Sequence, residues 1–263
     1  MFDSHLHLRD PRILPYHARF VKEALDLGVT GCIDCATRPE DWNAEVRCAL
    51  DVTTAFGLHP WSVATACPDW ADFLECALRA APGALVGEIG LDGIRKTLDG
   101  GAAQRDALAL QLALAARLGR PVVLHGARAW GALLHALESW ADKLPAILLH
   151  GVSFSPDLLR HPVLSRSNVW FSVGGALLSP AAQTLPRLAA AIPLDRLLVE
   201  TDSPDMLPVG GEPLVLGQYR ALLNSPANLP LILRALSRIR AIPFDELAGI
   251  TAANAHALLA TRA

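Results

Sequence analysis

The chain has no long apolar run, no surplus of positive charge and no regular spacing to its cysteines. Its longest apolar stretch, around Ala107 to Ala116, is interrupted by Gln111 and is too short to span a bilayer, and no basic leader precedes an apolar segment at the start. A cytoplasmic protein with no membrane association is expected. The five cysteines, Cys32, Cys35, Cys48, Cys67 and Cys76, are odd in number and lack a secretory context, which predicts free thiols. A net charge of −3 over 263 residues gives no long-range pull on nucleic acid, so any affinity for phosphate has to be local. Low-complexity segments and Pro/Gly linkers are missing as well. So is a glycine-rich dinucleotide fingerprint after the first strand, which removes the usual support for an open doubly wound sheet. Nothing calls for an obligate protein partner.

What is present is ample material for a core, with 52% hydrophobic and 19% charged residues, and one domain over residues 1–263 is expected. One unit keeps returning: a short apolar run ending in polar residues, then an amphipathic helical stretch, as in βα units on a parallel sheet. The candidate strands are "MFDSHLH", "VTGCIDCA", "DVTTAFGLH", "ALVGEIG", "PVVLH", "AILLH", "NVWFSVG" and "RLLVETD". Between the first two, Phe20, Val21, Ala24 and Leu25 recur at helical spacing over Tyr16 to Leu27, with Gly28 as a stop. About eight strands with alternating helices in about 250 residues predict an α/β fold of the TIM-type (β/α)8 class. The stretch "PDMLPVGGEPLVLGQYRALLNSPANLP" reads as an irregular loop over the site. "CIDC" resembles a redox or zinc pair, but on a strand residues three apart face opposite ways, so both cysteines read as core.

His5 and His7 stand two apart on the first strand and so share a face, pointing into the barrel. Two imidazoles in an apolar interior are costly unless something uses their lone pairs, and a metal ion is the commonest such partner. A hydrogen-bonded pair at a frayed terminus is the plain alternative for "HLH" alone. The balance shifts because Glu88 in "GEIGLD", His125 in "PVVLHGAR", His150 in "AILLHGVSFS" and Asp202 in "VETDSP" all fall at C-terminal strand ends, the rim where barrels build active sites. His17, His135, His161 and His256 fall on helices or connections and are set aside.

Taken together, "DSHLHL", "GLHPW", "GEIGLD", "HGAR", "HGVSFS", "LLVETDSP", "NSPANLP" and "ITAANAHALL" make nearly the whole chain resemble the TatD-like metal-dependent hydrolases of the amidohydrolase superfamily. The resemblance implies a distorted TIM-type barrel holding two divalent ions, with zinc, manganese and magnesium the candidates. One ion would take His5, His7 and Asp202 and the other His125 and His150, with Glu88 shared. A glutamate at the shared position sets the chain apart from relatives that bridge their metals with a carboxylated lysine. Two departures bear on substrate: Arg9, followed by Asp10, where many relatives carry an acidic residue after the HxHL motif, and Asn224-Ser225-Pro226 where Asn-Glu-Pro is usual.

The implied chemistry is water activation, because paired ions lower the pKa of bound water and neutralise a leaving oxygen. Asp202 is the candidate general base, and Glu88 completes the catalytic pair. His59 is a candidate substrate contact, and Arg128 and Arg9 are candidates for phosphate, whose geometry an arginine fork matches. The resemblance implies a phosphodiesterase of the deoxyribonuclease kind, acting on a DNA end or a small phosphodiester. The alternatives are a hydrolase of a small ester, amide or lactone or of a phosphorylated metabolite, and a non-catalytic metal-binding protein, which would need a degraded ligand position.

Overall fold

All eight expected strands form in the computed structural model, which describes residues 1–42, 46, 48–95, 100–216 and 219–261. They are β1 (Phe2–Leu6), β2 (Gly31–Ala36), β3 (Asp51–Phe56), β4 (Leu85–Gly90), β5 (Val122–His125), β6 (Ile147–Leu149), β7 (Val169–Val173) and β8 (Leu197–Val199). Each pairs parallel with the next in chain order. The helices α1 (His17–Asp26), α2 (Pro39–Trp42), α3 (Trp70–Ala80), α4 (Ala102–Leu118), α5 (Trp130–Leu137) and α6 (Leu185–Ala191) alternate with them. Between β6 and β7 a 3-10 turn, Pro156–Arg160, takes the helix's place, and α7 (Leu229–Arg240) and α8 (Phe244–Leu259) follow β8.

The period of two along each strand divides the core into layers. Val86, Leu124, Ile147 and Phe171 pack outward with Leu108, Leu133 and Leu188 of the surrounding helices. Ile33, Leu85, Val123, Leu148 and Leu198 pack inward, joined by Ala255, Leu258 and Leu259 of α8. Each fully buried leucine contributes roughly 1.5–3 kcal/mol, so the inner layer fixes the barrel and α8 fills the end where the strands begin. The cysteines of "CIDC" divide the same way, with Cys32 in a cluster beside α1 and Cys35 in the inner layer.

The distortion lies at the seam between β1 and β8, where no regular ladder runs. Side chains and strand extensions close it instead. Ser4 Oγ donates to the Val199 carbonyl at 2.9 Å, Thr201 N to Asp3 Oδ1 at 3.0 Å, Asp202 N to the His5 carbonyl at 3.0 Å, and His7 N to the Ser203 carbonyl at 2.8 Å. The seam therefore ties the first two histidines to Asp202 through the backbone.

The segment after β8 differs from the expected loop. It contains an antiparallel hairpin of β9 (Leu214–Leu216) and β10 (Tyr219–Leu223), and Leu214 and Leu223 pack with Leu6, Leu8 and Phe20. Apolar anchors hold it against the first βα unit. Among the described residues of this segment only Asp205 and Met206 reach the cavity at the barrel mouth.

Candidate metal centre

The strand ends deliver their polar residues to one cavity of about 740 Å³, whose walls include His7, His59, Glu88, His125, His150 and Asp202. That volume lies within the range of small-ligand sites. His5 lies beneath, with no exposed surface, and its ring stacks on that of His150 with centroids 3.9 Å apart.

Glu88 sits at the middle and its two oxygens face different partners. Oε1 lies 2.8 Å from His150 Nε2, 2.9 Å from His125 Nδ1 and 3.2 Å from His59 Nε2. Oε2 lies 3.4 Å from His5 Nε2 and 3.6 Å from His7 Nε2. Asp202 Oδ1 adds to the second group, 3.3 Å from His7 Nε2 and 3.6 Å from His5 Nε2.

The far nitrogens decide what the near ones offer. His7 Nδ1 lies 2.8 Å from the Cys35 carbonyl, which only accepts, so Nδ1 carries the proton and Nε2 turns a lone pair inward. Asp92 Oδ2 holds His125 Nε2 at 3.2 Å, and Glu200 Oε1 faces His150 Nδ1 at 3.4 Å while accepting from Gly151 N at 2.7 Å. Both rings are thereby turned with lone pairs toward Glu88. Among the described residues His5 Nε2 is buried with no close hydrogen-bond partner, Glu88 Oε2 standing off at 3.4 Å. Lone pairs converging on a carboxylate repel unless protons or cations lie among them, and imidazole with carboxylate is a donor set for divalent ions. The residues present therefore fit a metal.

His59 is different, although its Nε2 faces the same oxygen. Its Nδ1 accepts from Trp61 N at 3.1 Å, so Nε2 carries the proton and donates to Glu88. It offers no lone pair to an ion.

Without cations, protons take their place. Burial alone would push the His7 imidazole down, but the facing Asp202 and Glu88 carboxylates outweigh it and raise it to about 10. Burial likewise opposes charge on His125 and His150, and their carboxylate partners again win and raise both. On Glu88 and Asp202 burial pushes up, and the surrounding imidazoles hold both carboxyls down.

Two backbone features make the convergence possible. Gly90, at φ +149°, would carry a Cβ only 2.0 Å from the His125 carbonyl oxygen, so only a bare backbone lets the ends of β4 and β5 approach closely enough for Glu88 to meet His125. Asp202 adopts φ +58°, a left-handed conformation unusual outside glycine but tolerated best by Asp and Asn.

The expected phosphate contacts are placed less simply. Arg9 reaches the cavity wall, but its guanidinium is buried against Asp34 and lies 5.6 Å from the Phe56 ring centroid. Arg128 is exposed and is not among the residues lining the cavity. Ser225 is buried away from the cavity; its Oγ accepts from Ala227 N at 3.2 Å and caps the turn Pro226–Asn228, so this departure concerns folding and not the substrate wall. Cys35 is core but also borders the site, with Sγ 3.4 Å from His5 Nδ1. Asp92, Glu200 and the Cys35 carbonyl, which hold the histidines from behind, were not singled out from the sequence.

Lone pairs gathered at the C-terminal rim of a (β/α)8 barrel are the arrangement of a metal-dependent hydrolase, and this protein is one. The family model of TatD related DNases matches residues 2–260, and the chain belongs to that family. Among its relatives is the 3'-5' ssDNA/RNA exonuclease TatD of Erwinia amylovora, 31% identical over 98% of this chain and 99% of that one. The exonuclease of the same name from Citrobacter rodentium is also 31% identical, over 98% and 97%. YjjV, a TatD homologue from Escherichia coli K12, superposes with a TM-score of 0.83 at 28% identity over 98% of this chain and 97% of its own. An organophosphorus hydrolase from Deinococcus radiodurans, at 16% identity and a TM-score of 0.61 over 98% and 92%, shares the fold.

Proposed function

We propose that this chain is a two-ion nuclease that removes nucleotides from single-stranded DNA ends. The observation that carries the reading is the division of Glu88, one oxygen toward His125 and His150 and the other toward His5 and His7. His5, His7 and Asp202 would hold one divalent ion and His125 and His150 the other, with Glu88 shared; zinc, manganese and magnesium are the candidates. Such a pair, when bound, supplies an acidified water and charge neutralisation for the departing oxygen.

The protein's own groups do the rest. Asp202 keeps 21% of its side chain exposed against 3% for Glu88, so its carboxylate borders the cavity and can accept the proton of an attacking water. His59 Nε2–H, aimed at Glu88, can turn its donor to a substrate oxygen. The cavity at the barrel mouth is a pit, into which a strand end can descend and a duplex interior cannot. The names of the exonucleases given above, 3'-5' ssDNA/RNA exonuclease TatD, support an end-directed single-strand substrate. With a net charge of −3, the protein should bind few phosphates, giving a shallow salt dependence equivalent to about one to three contacts. All 263 residues act as one unit in this reading, and an intracellular setting suits the five free cysteines.

The test is an end-labelled linear single strand, a closed circular strand and a small phosphodiester, each incubated with the zinc, manganese and magnesium forms. Stepwise shortening of the linear strand with the circle spared is expected. Equal attack on the circle refutes the end preference. Turnover of small esters or amides alone, with both strands untouched, refutes the nuclease reading. Elemental analysis checks the ions: Glu88→Ala should weaken both sites at once and His150→Ala chiefly one.

A further inference from the structure

Trp61 leaves 48% of its surface exposed at the cavity mouth, and on the same rim Ile94 and Met206 are 62% and 53% exposed. Elsewhere the mouth is charged, with Arg12, Arg38, Asp10 and Asp205 on its wall. Exposed apolar side chains on the rim of a polar pit are placed to contact a ligand that enters it.

The Trp61 ring is also fixed in place. Its Nε1–H donates to Asp92 Oδ2 at 2.5 Å. Its centroid lies 5.0 Å from that of His59 and 6.3 Å from that of His125, both nearly perpendicular to it. The Arg95 guanidinium carbon sits 3.8 Å from the indole centroid, at stacking distance. A large π-surface, positively charged on one side and held rigid one imidazole away from the metal centre, has the features of a base-stacking platform.

We propose that Trp61, with Arg95 stacked on it, receives the base of the nucleotide whose phosphate enters the metal centre. The proposal rests on the nuclease reading above and adds to it a determinant of which strand ends are processed. Stacking tolerates every base, because each has a π-face, and so confers a requirement for a base without a preference among bases. The competing account is that Trp61 merely shields the hydrogen bond between Asp92 and His125 from water. That account predicts an effect on every substrate alike.

The experiment compares the metal-loaded parent, Trp61→Ala and Trp61→Phe on two labelled single strands, one ending in ordinary nucleotides and one whose last nucleotides are abasic. The quantity read is the ratio of kcat/KM on the two strands, in which any general effect transmitted through Asp92 cancels. The parent should favour the base-bearing strand by about tenfold or more, and Trp61→Ala should lower that ratio about tenfold, chiefly through KM. Trp61→Phe, which loses the indole N–H but keeps a π-face, should retain most of the ratio even where both rates fall. Should Trp61→Ala prove unstable to urea, Trp61→Leu, an apolar filler without a π-face, should show the same loss. An unchanged ratio in Trp61→Ala, with both strands slowed equally, overturns the platform while leaving the nuclease reading intact. A parent that cleaves neither strand overturns both.

Discussion

The carboxylate behind His125 offers the sharpest test of how the site is built, because Asp92→Asn changes one atom and no volume. In the native site Asp92 Oδ1 accepts from Ile94 N at 2.6 Å and Arg95 N at 2.9 Å, and Oδ2 accepts from Trp61 Nε1 at 2.5 Å and His125 Nε2 at 3.2 Å. Burial pushes this carboxyl up, but the bonds from His125, the Arg95 amide and Trp61 outweigh it and hold it well below the usual carboxylate range. Asparagine keeps one acceptor and turns the other into a donor. If its oxygen stays on the two backbone amides, its NH2 faces Trp61 and His125, donor against donor; if it flips, the amides lose their acceptor. Two of the four bonds go in either orientation. Hydrogen bonds to a charged group are worth roughly 1.5–3 kcal/mol each, so the ceiling is about 3–6 kcal/mol, and water and relaxation should bring the observed destabilisation to about 2–3 kcal/mol.

The consequence for function is separable. His125 would lose the partner that fixes its proton on Nε2, and loss of such a partner typically costs about 10–100-fold in metal affinity. Urea unfolding of the chelator-treated protein measures the first quantity, and competition with a chromophoric chelator measures the second. A variant that is destabilised as calculated but binds ions within threefold of the parent would show that His125 is oriented by something other than Asp92, and the argument from inward lone pairs would fail at that residue.

Other perturbations follow from the same geometry. Asp202→Asn should keep the fold and lose at least about a hundredfold in activity, as expected for a missing proton acceptor; activity within a few-fold of the parent moves the base elsewhere. Because His7 is raised to about 10 in the cation-free site, an entering ion must displace its proton. Calorimetry in buffers of different ionisation enthalpy should register proton release, and an affinity unchanged between pH 6 and 8 contradicts it. Burial raises the Asp3 carboxyl from 3.8 to about 7 against the bonds from Thr201. The folded state therefore binds the proton more tightly than the unfolded chain, and this group's contribution makes metal-free stability fall as pH rises through that window and level off above it. Asp3→Asn should flatten this dependence relative to the parent in urea titrations, and parallel pH curves count against the assignment. Gly90→Ala places a methyl against the His125 carbonyl and should cost about 3 kcal/mol or more; a variant of parental stability would show that β4 and β5 can separate freely.

The fold was legible because each strand announces itself locally, in a short apolar run with a polar end, and the ligand set was legible because four of its six members stand at or just beyond such ends and Glu88 stands two residues before one. His5 lies within its strand, but its spacing of two from His7 assigned both to one face. What stayed hidden depends on partners distant in the chain. Arg9 reads as an open fork until Asp34, on the neighbouring strand, is seen to occupy it. Ser225 reads as a substrate-wall change until its hydroxyl is found capping its own turn. The hairpin of β9 and β10 is set by where Leu214 and Leu223 find apolar cover, on Phe20 and Leu6. Glu200 is the instructive omission, because it stands two residues before Asp202, the same spacing that drew attention to His5 and His7. Here both residues stand past the end of β8 at Val199 and Asp202 adopts φ +58°, so the spacing does not by itself give a shared face, and only the structure puts Glu200 Oε1 against His150 Nδ1. A ligand can be recognised by its own position, whereas the group that aims a ligand is recognised only once the ligand's second nitrogen has a direction. The side chains behind this metal site, Asp92 and Glu200, stand just past the ends of β4 and β8, and such turns are where the groups that aim a ligand are best sought.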